Sequence, residues 1–271
     1  MRRVGAVGHS AGVSEDQPGG LRVERRPDAP VDPARWPDSV PAVAHVLEHG
    51  LDIPPGVTFL VGENGSGKST LVEAVAEVLG IPPDGGSSDH HGGADRGRGS
   101  DRSDLGERLL EVRRGTAPGP RMRTGFFLRA ETMHRFVTYL EDASRLAEDS
   151  EPGTHPLHRL SHGESFVEML TSRWVRGAGT VLLDEPESAL SFTTSLALLD
   201  VLAQLSDAGR HVLCATHSPL LTALPGARIL QLDGDGVREV AWADLDVVRH
   251  WRAFLDSPGR YLRHLQEAED A

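Results

Sequence analysis

Short apolar runs alternate with amphipathic stretches along this chain. Apolar runs bounded by glycine, proline or polar positions predict buried strands, which are 57–61, 125–128, 180–183 and 210–215, with a shorter strand from Leu21. Stretches with apolar side chains at helical spacing predict helices, which are 70–79, 131–147, 165–175 and 193–206. This alternation favours an α/β fold, in which helices cover both faces of a mostly parallel sheet.

Two segments lack the apolar residues that a core needs. Residues 1–20 are mostly small, polar and glycine-rich, and we expect a disordered tail there. Residues 84–104 contain Ala94 as their one apolar side chain. Because such a segment buries almost no hydrophobic surface, we expect it to form a flexible insertion at the surface.

The composition fits a cytoplasmic globular protein. The chain has 271 residues, a formal net charge of −12 and one cysteine, Cys214, which excludes an internal disulfide framework and a cysteine-based zinc site. The acidic charge argues against general nucleic-acid binding. We expect no membrane span in this chain, because no apolar run reaches about 18 residues, and no signal peptide, because residues 1–20 lack an apolar core.

The segment 62–70 carries the strongest chemical signal. It matches the pattern G-x-x-x-x-G-K-[ST] and lies between a predicted strand and a predicted helix. Glycines allow backbone N–H groups to turn toward an anion, and the helix N-terminus adds partial positive charge. The pattern therefore predicts a phosphate-binding loop, formed by Gly62, Glu63, Asn64, Gly65, Ser66, Gly67, Lys68, Ser69 and Thr70. Lys68 is the one lysine among 28 basic residues, which indicates a site that needs an ammonium group.

Two carboxylates follow the predicted strand 180–183. Asp184 is placed to hold Mg²⁺ together with the Ser69 hydroxyl, and Glu185 is placed to polarise an attacking water. Taken alone, the pair would also fit an acidic turn at the end of a strand. The complete phosphate-binding loop favours the metal and catalytic interpretation.

Two further motifs complete the candidate site. Ser161 and Gly163 open a predicted helix, where a hydroxyl and free N–H groups suit an anion, although the same residues also fit a simple helix cap. His217 follows the predicted strand 210–215, and a histidine there could contact a γ-phosphate or the water that attacks it.

These four motifs, in this order and spacing, resemble the Walker A, signature, Walker B and switch-histidine motifs of the ABC-type ATPase domain. The resemblance covers about 21–271. In detail, segments 127–131, 161–166, 184–191 and 254–262 resemble the small stand-alone bacterial "predicted ATPases" within the AAA-labelled P-loop proteins. The resemblance implies a P-loop fold with a smaller helical lobe at about 125–175 that carries the signature.

The resemblance also implies a mechanism. ATP binds along 62–70 with Mg²⁺, Glu185 is the general base, and His217 senses the γ-phosphate. Ser161 and Gly163 of one chain close over the ATP of a second chain, so that ATP drives a head-to-tail homodimer. We expect a soluble ATP hydrolase that uses this dimer as a switch. The alternatives are a nucleotide-binding subunit of a membrane transporter, or a DNA-repair or defence ATPase, and an unknown protein partner is compatible with each.

Three assignments stay open at this stage. Trp36 either stacks on adenine, as an aromatic upstream of the loop does in the family, or covers the core beside Pro37. Glu131 either replaces the family's metal-sensing glutamine, which is missing near Phe126, or is an exposed carboxylate at a helix start. Six arginines either contact nucleic acid or an acidic partner, or form a solvated face, which we favour; they are Arg108, Arg113, Arg114, Arg121, Arg123 and Arg129.

Overall fold

A computed structural model describes residues 20–82, 86–87, 104–115, 124–129, 170 and 173–267. The strands are Leu21–Arg25 (β1), Leu51–Ile53 (β2), Gly56–Gly62 (β3), Gly86–Ser87 (β4), Leu110–Arg114 (β5), Gly125–Arg129 (β6), Thr180–Asp184 (β7), His211–Thr216 (β8), Arg228–Asp233 (β9) and Gly236–Glu239 (β10). The α-helices are Pro41–His49 (α1), Lys68–Leu79 (α2), Leu105–Leu109 (α3), Arg173–Gly177 (α4), Phe192–Asp207 (α5), Asp246–Asp256 (α6) and Pro258–Glu267 (α7). Short 3₁₀ helices span Pro186–Ala189, Leu221–Ala223 and Trp242–Asp244.

Seven strands form the main sheet, in the order β10-β9-β3-β8-β7-β6-β4. The five central strands run parallel, and β10 and β4 pair antiparallel at the two edges. The predicted α/β fold is thereby confirmed, and β3, β6, β7 and β8 are the four strands that the apolar runs predict. Because these strands are parallel, β3, β7 and β8 bring their carboxyl ends, and the motifs that follow them, to the same edge of the sheet.

Side chains that alternate along β3 supply two separate cores. Leu60 packs into a cluster with helices α1 and α2, whereas Phe59 and Val61 pack on the opposite face against α5 and α6. The main sheet is therefore covered on both faces, which explains why its central strands are apolar throughout rather than alternating with polar residues.

The pattern of apolar residues does not predict the second, smaller sheet. Three antiparallel strands form it, in the order β2-β1-β5, and Leu21 and Val23 of β1 are buried in the cluster that also holds α1 and α2. Through this cluster the small sheet supports α2, the helix that follows the phosphate-binding loop.

Several predicted features lie wholly or largely outside the described residues. These are the tail 1–20 apart from Gly20, the helix 131–147, most of the helix 165–175 and most of the helical lobe 125–175. Of the insertion 84–104, Gly86 and Ser87 form β4 and pair with Phe127 and Phe126, so this short part extends the sheet. None of the described helices combines the length and the apolar character that a bilayer span requires.

Candidate functional site

The backbone between β3 and α2 depends on glycine. Gly67 precedes the helix with φ of 97°, a left-handed conformation, and a Cβ there would lie 2.9 Å from Cγ1 of Val40. A Cβ at Gly62 would lie 2.5 Å from the carbonyl oxygen of Leu232. Both contacts are too close for a real side chain, so the loop requires glycine at these two positions. Because Gly67 is left-handed, it lies outside the helix as its N-cap. Helix α2 then begins at the next residue, Lys68, two residues before the predicted start at Thr70.

Lys68 folds back across the loop that precedes it. Its Nζ atom donates hydrogen bonds to the carbonyl oxygens of Gly62 at 2.9 Å and Glu63 at 3.0 Å, and the side chain is buried. Burial lowers the pKa of Lys68, while the charges of Glu185 and Asp184 act in the opposite direction. The ammonium group is therefore held at the loop, on the side of the two carboxylates.

Asp184 joins the two halves of the predicted metal site. The Ser69 hydroxyl donates to Oδ1 of Asp184 at 2.9 Å, although the two residues lie 115 positions apart in the chain. Burial raises the pKa of Asp184, and Arg129 and Ser69 oppose that shift. A hydroxyl and a carboxylate oxygen at this distance fit a Mg²⁺ ion that takes its remaining ligands from phosphate and water. The described residues hold no cluster of three or more His, Cys, Asp or Glu side chains that could bind a metal without a nucleotide.

Arg129, at the end of β6, is a site residue that the sequence interpretation misses. Its Nε donates to Oδ2 of Asp184 at 2.9 Å, and its other end pairs with Glu73 of α2. The carboxylates of Glu73 and Asp184 outweigh the effect of burial and raise the pKa of Arg129. The preferred interpretation of Arg129 as part of a solvated face is therefore wrong. The same holds for Arg108, which pairs with the buried carboxylate of Asp38.

Glu185 and His217 lie side by side at the ends of β7 and β8. The Glu185 Oε1 atom is 3.3 Å from Nε2 of His217. Glu185 is also the one residue other than glycine with a positive φ among the described residues, at 49°. A left-handed conformation is costly for a residue with a side chain, and such strain is typical of functional positions. The backbone N–H of His217 donates to Oε1 of Glu187 at 2.5 Å, which fixes the loop that carries the histidine.

Three buried polar atoms at this site make no hydrogen bond among the described residues. They are the Ser66 hydroxyl oxygen, Oε2 of Glu187 and Nε2 of His217, whose 3.3 Å contact with Glu185 is an ion-pair distance without hydrogen-bond geometry. A buried polar group without a partner costs roughly 1–3 kcal/mol. An oxygen-rich ligand such as a triphosphate would relieve this cost at Ser66 and His217.

A cavity of about 810 Å³ opens beside the loop. Its walls are Gly62–Ser66, the residues 231–234 at the end of β9, and side chains of α6 and α7, among them Trp251, Phe254 and Tyr261. Trp36, for which the sequence leaves both adenine stacking and a place over the core open, does not line this cavity and is 53% exposed. The aromatic side chains beside the loop thus come from the C-terminal helices. The sequence interpretation uses 254–262 only for the family resemblance and gives these helices no part in the site.

The structure brings together all the predicted site residues that it describes. Lys68, Ser69, Asp184, Glu185 and His217 meet where β3, β7 and β8 end. Ser161, Gly163 and Glu131 lie outside the described residues, and their roles remain predictions.

Comparison with known proteins places these motifs in one family. The sequence model described as "ABC transporter" matches residues 49–188, just over half of the chain. The hemin import ATP-binding protein HmuV of Burkholderia thailandensis is 33% identical over 229 residues, which cover 72% of this chain and 81% of that protein. The peptidoglycan transport ATP-binding protein YejF of Agrobacterium fabrum is 26% identical over 255 residues, and the match spans 84% of this chain but 43% of that protein.

Solved structures give a weaker likeness. An inward-facing putative metal-chelate type ABC transporter is 18% identical with a TM-score of 0.42, covering 73% of this chain and 76% of that chain. A bacterial ABC transporter cassette in its dimeric form is 19% identical with a TM-score of 0.39, covering 72% and 90%. By their names, HmuV and YejF are ATP-binding proteins of import and transport systems, rather than members of the stand-alone group that the detailed motifs resemble.

Proposed function

The chain belongs to the ABC transporter family, and on this basis we propose that it binds ATP along 62–70 and hydrolyses it to ADP and phosphate. One observation carries the proposal: Ser69 and Asp184, from two motifs far apart in the chain, lie 2.9 Å apart where a Mg²⁺ ion would need both. Because ATP is abundant in the cytoplasm, we place the activity there.

Each residue of the site has a part in this proposal. The backbone N–H groups of the loop and Lys68 hold the phosphates, and Ser69 and Asp184 hold Mg²⁺, which neutralises phosphate charge when it is bound. Glu185 orients and polarises the water that attacks the γ-phosphate in line. His217, 3.3 Å from Glu185, contacts the γ-phosphate through Nε2, the atom that has no hydrogen-bond partner among the described residues.

We also propose that two chains form a head-to-tail dimer around two ATP molecules. Ser161 and Gly163 of one chain would then cap the γ-phosphate bound to the other. The exposure of Glu185 and His217 supports this dimer. Their side chains are 39% and 35% exposed in the single chain, so a second chain could cover them. Phe192, the first residue of α5, is 70% exposed, as an interface residue would be.

The proposal leaves three kinds of ATPase to distinguish by their partners. A transporter subunit would bind a membrane protein, and by their names HmuV and YejF are ATP-binding proteins of hemin import and of peptidoglycan transport. A stand-alone ATPase, which the motifs 127–131 and 184–191 favour, would not, and a DNA-repair or defence ATPase would bind nucleic acid or other proteins instead. Co-purification with the membrane fraction from cells that express the chain at its natural level separates the first case from the others.

Phosphate release tests the activity itself. The purified chain with Mg-ATP is expected to release phosphate, and Glu185→Gln is expected to bind ATP while releasing phosphate at least about 100-fold more slowly. Glu239→Gln is the matched control, because this glutamate lies on the edge strand β10 and is largely exposed. If Glu185→Gln turns over like the wild type, the general-base role is wrong.

A further inference from the structure

Four polar side chains form a closed set of contacts around Asp184. The Ser69 hydroxyl donates to Oδ1 of Asp184 at 2.9 Å, and Nε of Arg129 donates to Oδ2 of the same carboxylate at 2.9 Å. The other end of the Arg129 guanidinium pairs with Glu73. Ser69 and Glu73 lie four positions apart on one face of α2, so a single helical turn closes the set. We call Ser69, Glu73, Arg129 and Asp184 the polar ring.

The polar ring gives each oxygen of Asp184 a different contact. Oδ1 faces Ser69, the hydroxyl that the proposed function assigns to Mg²⁺, and Oδ2 faces Arg129. Any other rotamer of Asp184 would break these contacts, and the side chain is only 5% exposed, so water is poorly placed to replace them. Arg129 therefore keeps the carboxylate turned so that Oδ1 lies next to Ser69.

Two features hold Arg129 itself in place. It is the direct partner of Asp184 in the parallel pairing of β6 and β7, so the backbone sets the separation of the two side chains. Glu73 binds the other end of the guanidinium, and the side chains of Arg129 and Glu73 are both largely buried. A planar guanidinium donates to two carboxylates at once in a fixed geometry, which a flexible ammonium group does not reproduce.

The charges of the polar ring still favour a cation. The ring contains two carboxylates and one guanidinium, so its net charge is negative even though Arg129 lies beside the metal site. Because Glu73 offsets the charge of Arg129, the guanidinium can orient a metal ligand without driving the metal away from it.

We infer that Arg129 is a positioning residue for the bound metal, which orients Asp184 so that Oδ1 and the Ser69 hydroxyl are presented to Mg²⁺ together. This inference rests on the proposed function, because it takes Mg²⁺ to bind at these two residues with ATP. Groups that hold a metal-binding carboxylate from behind typically contribute about 10–100-fold to metal affinity or activity. Arg129 acts through Asp184 and does not bind the phosphates.

A variant with unchanged net charge separates orientation from electrostatics. Arg129→Met combined with Glu73→Gln removes one positive and one negative charge, so the ring keeps the net charge of the wild type. The matched control is Arg249→Met combined with Asp244→Asn, which removes an exposed ion pair in the same way. A loss of metal affinity confined to the first double variant reports the lost orientation of Asp184.

The probes are Mn²⁺, which accepts the same oxygen ligands as Mg²⁺, and an ATP analogue that is not hydrolysed, β,γ-imido-ATP. With protein in excess over nucleotide, electron paramagnetic resonance of free Mn²⁺ measures metal binding to the complex, and nucleotide affinity is measured separately in EDTA. The double variant of Arg129 and Glu73 is expected to bind Mn²⁺ about 10–100-fold more weakly than the wild type. Its nucleotide affinity in EDTA is expected to be unchanged, which also shows that the variant is folded.

Arg129→Lys provides a second test in which every formal charge stays in place. One ammonium group replaces the fork that spans Asp184 and Glu73, so Mn²⁺ binding is expected to fall by about 10-fold, with nucleotide affinity in EDTA unchanged. This variant decides the question on its own should the double variant fail to fold.

The inference is wrong if either Arg129 variant, in folded form, binds Mn²⁺ as tightly as the wild type or more tightly. It is also wrong if nucleotide affinity in EDTA falls in Arg129→Lys by as much as Mn²⁺ affinity, since Arg129 would then act on the phosphates. Failure of the proposed function has a different signature. In that case the wild type binds no nucleotide, or Lys68→Ala binds it as the wild type does.

Discussion

The guanidinium of Arg129 and the carboxylate of Asp184 form an ion pair, with Nε and Oδ2 2.9 Å apart. The two residues are direct partners in the parallel pairing of β6 and β7. The same guanidinium also pairs with Glu73. A divalent cation at Asp184 would therefore lie beside a fixed positive charge, which Glu73 and the phosphates of the nucleotide must balance.

Removing Arg129 tests how strongly this pair supports the fold. Arg129→Ala leaves the buried carboxylate of Asp184 without its main counter-charge, so we expect the free energy of unfolding to fall by about 2 kcal/mol. Chemical denaturation measures the change. The matched control is Arg249→Ala, which breaks an exposed pair with Asp244 and is expected to cost about 0.5 kcal/mol or less. Equal effects of the two changes would contradict the role given to Arg129.

Lys68 is expected to be irreplaceable for phosphate binding. Lys68→Ala removes the ammonium group that lies at the loop, and we expect ATP turnover to fall about 100-fold or more. Lys68→Arg keeps the positive charge but replaces a compact ammonium by a planar guanidinium, which cannot fit the two carbonyl oxygens of Gly62 and Glu63 in the same way. We expect this variant to be impaired as well, and near-normal turnover in Lys68→Ala would refute the assignment of the loop.

Glu185→Gln links the chemistry to assembly. The variant is expected to hold uncleaved ATP between two chains, and ATP that bridges them stabilises the dimer by mass action. Size-exclusion chromatography with light scattering is expected to show a dimer with Mg-ATP and a monomer with ADP. Adding Ser161→Arg to the same variant is expected to abolish the dimer. A Glu185→Gln protein that binds Mg-ATP and stays monomeric would contradict the shared site.

Glu77 is expected to make stability depend on pH. Burial of this α2 side chain raises its pKa from 4.5 to about 7, even though Oε2 accepts a hydrogen bond from the Gly106 N–H. The folded state therefore binds the proton more tightly than the unfolded state, and stability contributed by this group is present below pH 4.5 and is lost as the pH rises to about 7.

Glu77→Gln removes this dependence. The variant is expected to be more stable than the wild type above pH 7, by about 1 kcal/mol because solvent screens a half-buried charge, and the difference is expected to shrink as the pH falls toward 4.5. Denaturant unfolding at several pH values measures it. Glu48→Gln, at an exposed position of α1, is the control and is expected to show little change. A constant difference across the pH range would contradict the prediction.

The sequence predicts the parts of the fold that are set by local patterns. Apolar runs identify the central strands because those strands are buried on both faces. The predicted end of helix α2 at residue 79 is confirmed, and Gly80 caps it with a left-handed φ of 70°. Short antiparallel strands such as Leu51–Ile53 contain too few residues to show an alternating pattern. Helix α6 is missed because Val248 is its one buried residue.

Some site residues are likewise set by local sequence patterns, and others depend on how distant elements pack together. The loop 62–70 and the pair Asp184 and Glu185 are recognisable because their chemistry depends on residues that are adjacent in the chain. The role of Arg129 depends on the register between β6 and β7, and the cavity wall formed by Trp251, Phe254 and Tyr261 depends on where two helices pack beside β9. Neither relationship is encoded in local spacing, so the structure is needed to find them.

The left-handed backbone of Glu185 has a consequence for how this protein responds to selection. Glycine at this position would relax a conformation that costs a residue with a side chain about 1–2 kcal/mol, while its greater freedom in the unfolded chain returns part of that gain. Glu185→Gly is therefore expected to melt at a higher temperature and to lose hydrolysis. A screen that selects for thermostability alone is thus expected to enrich variants that have lost hydrolysis.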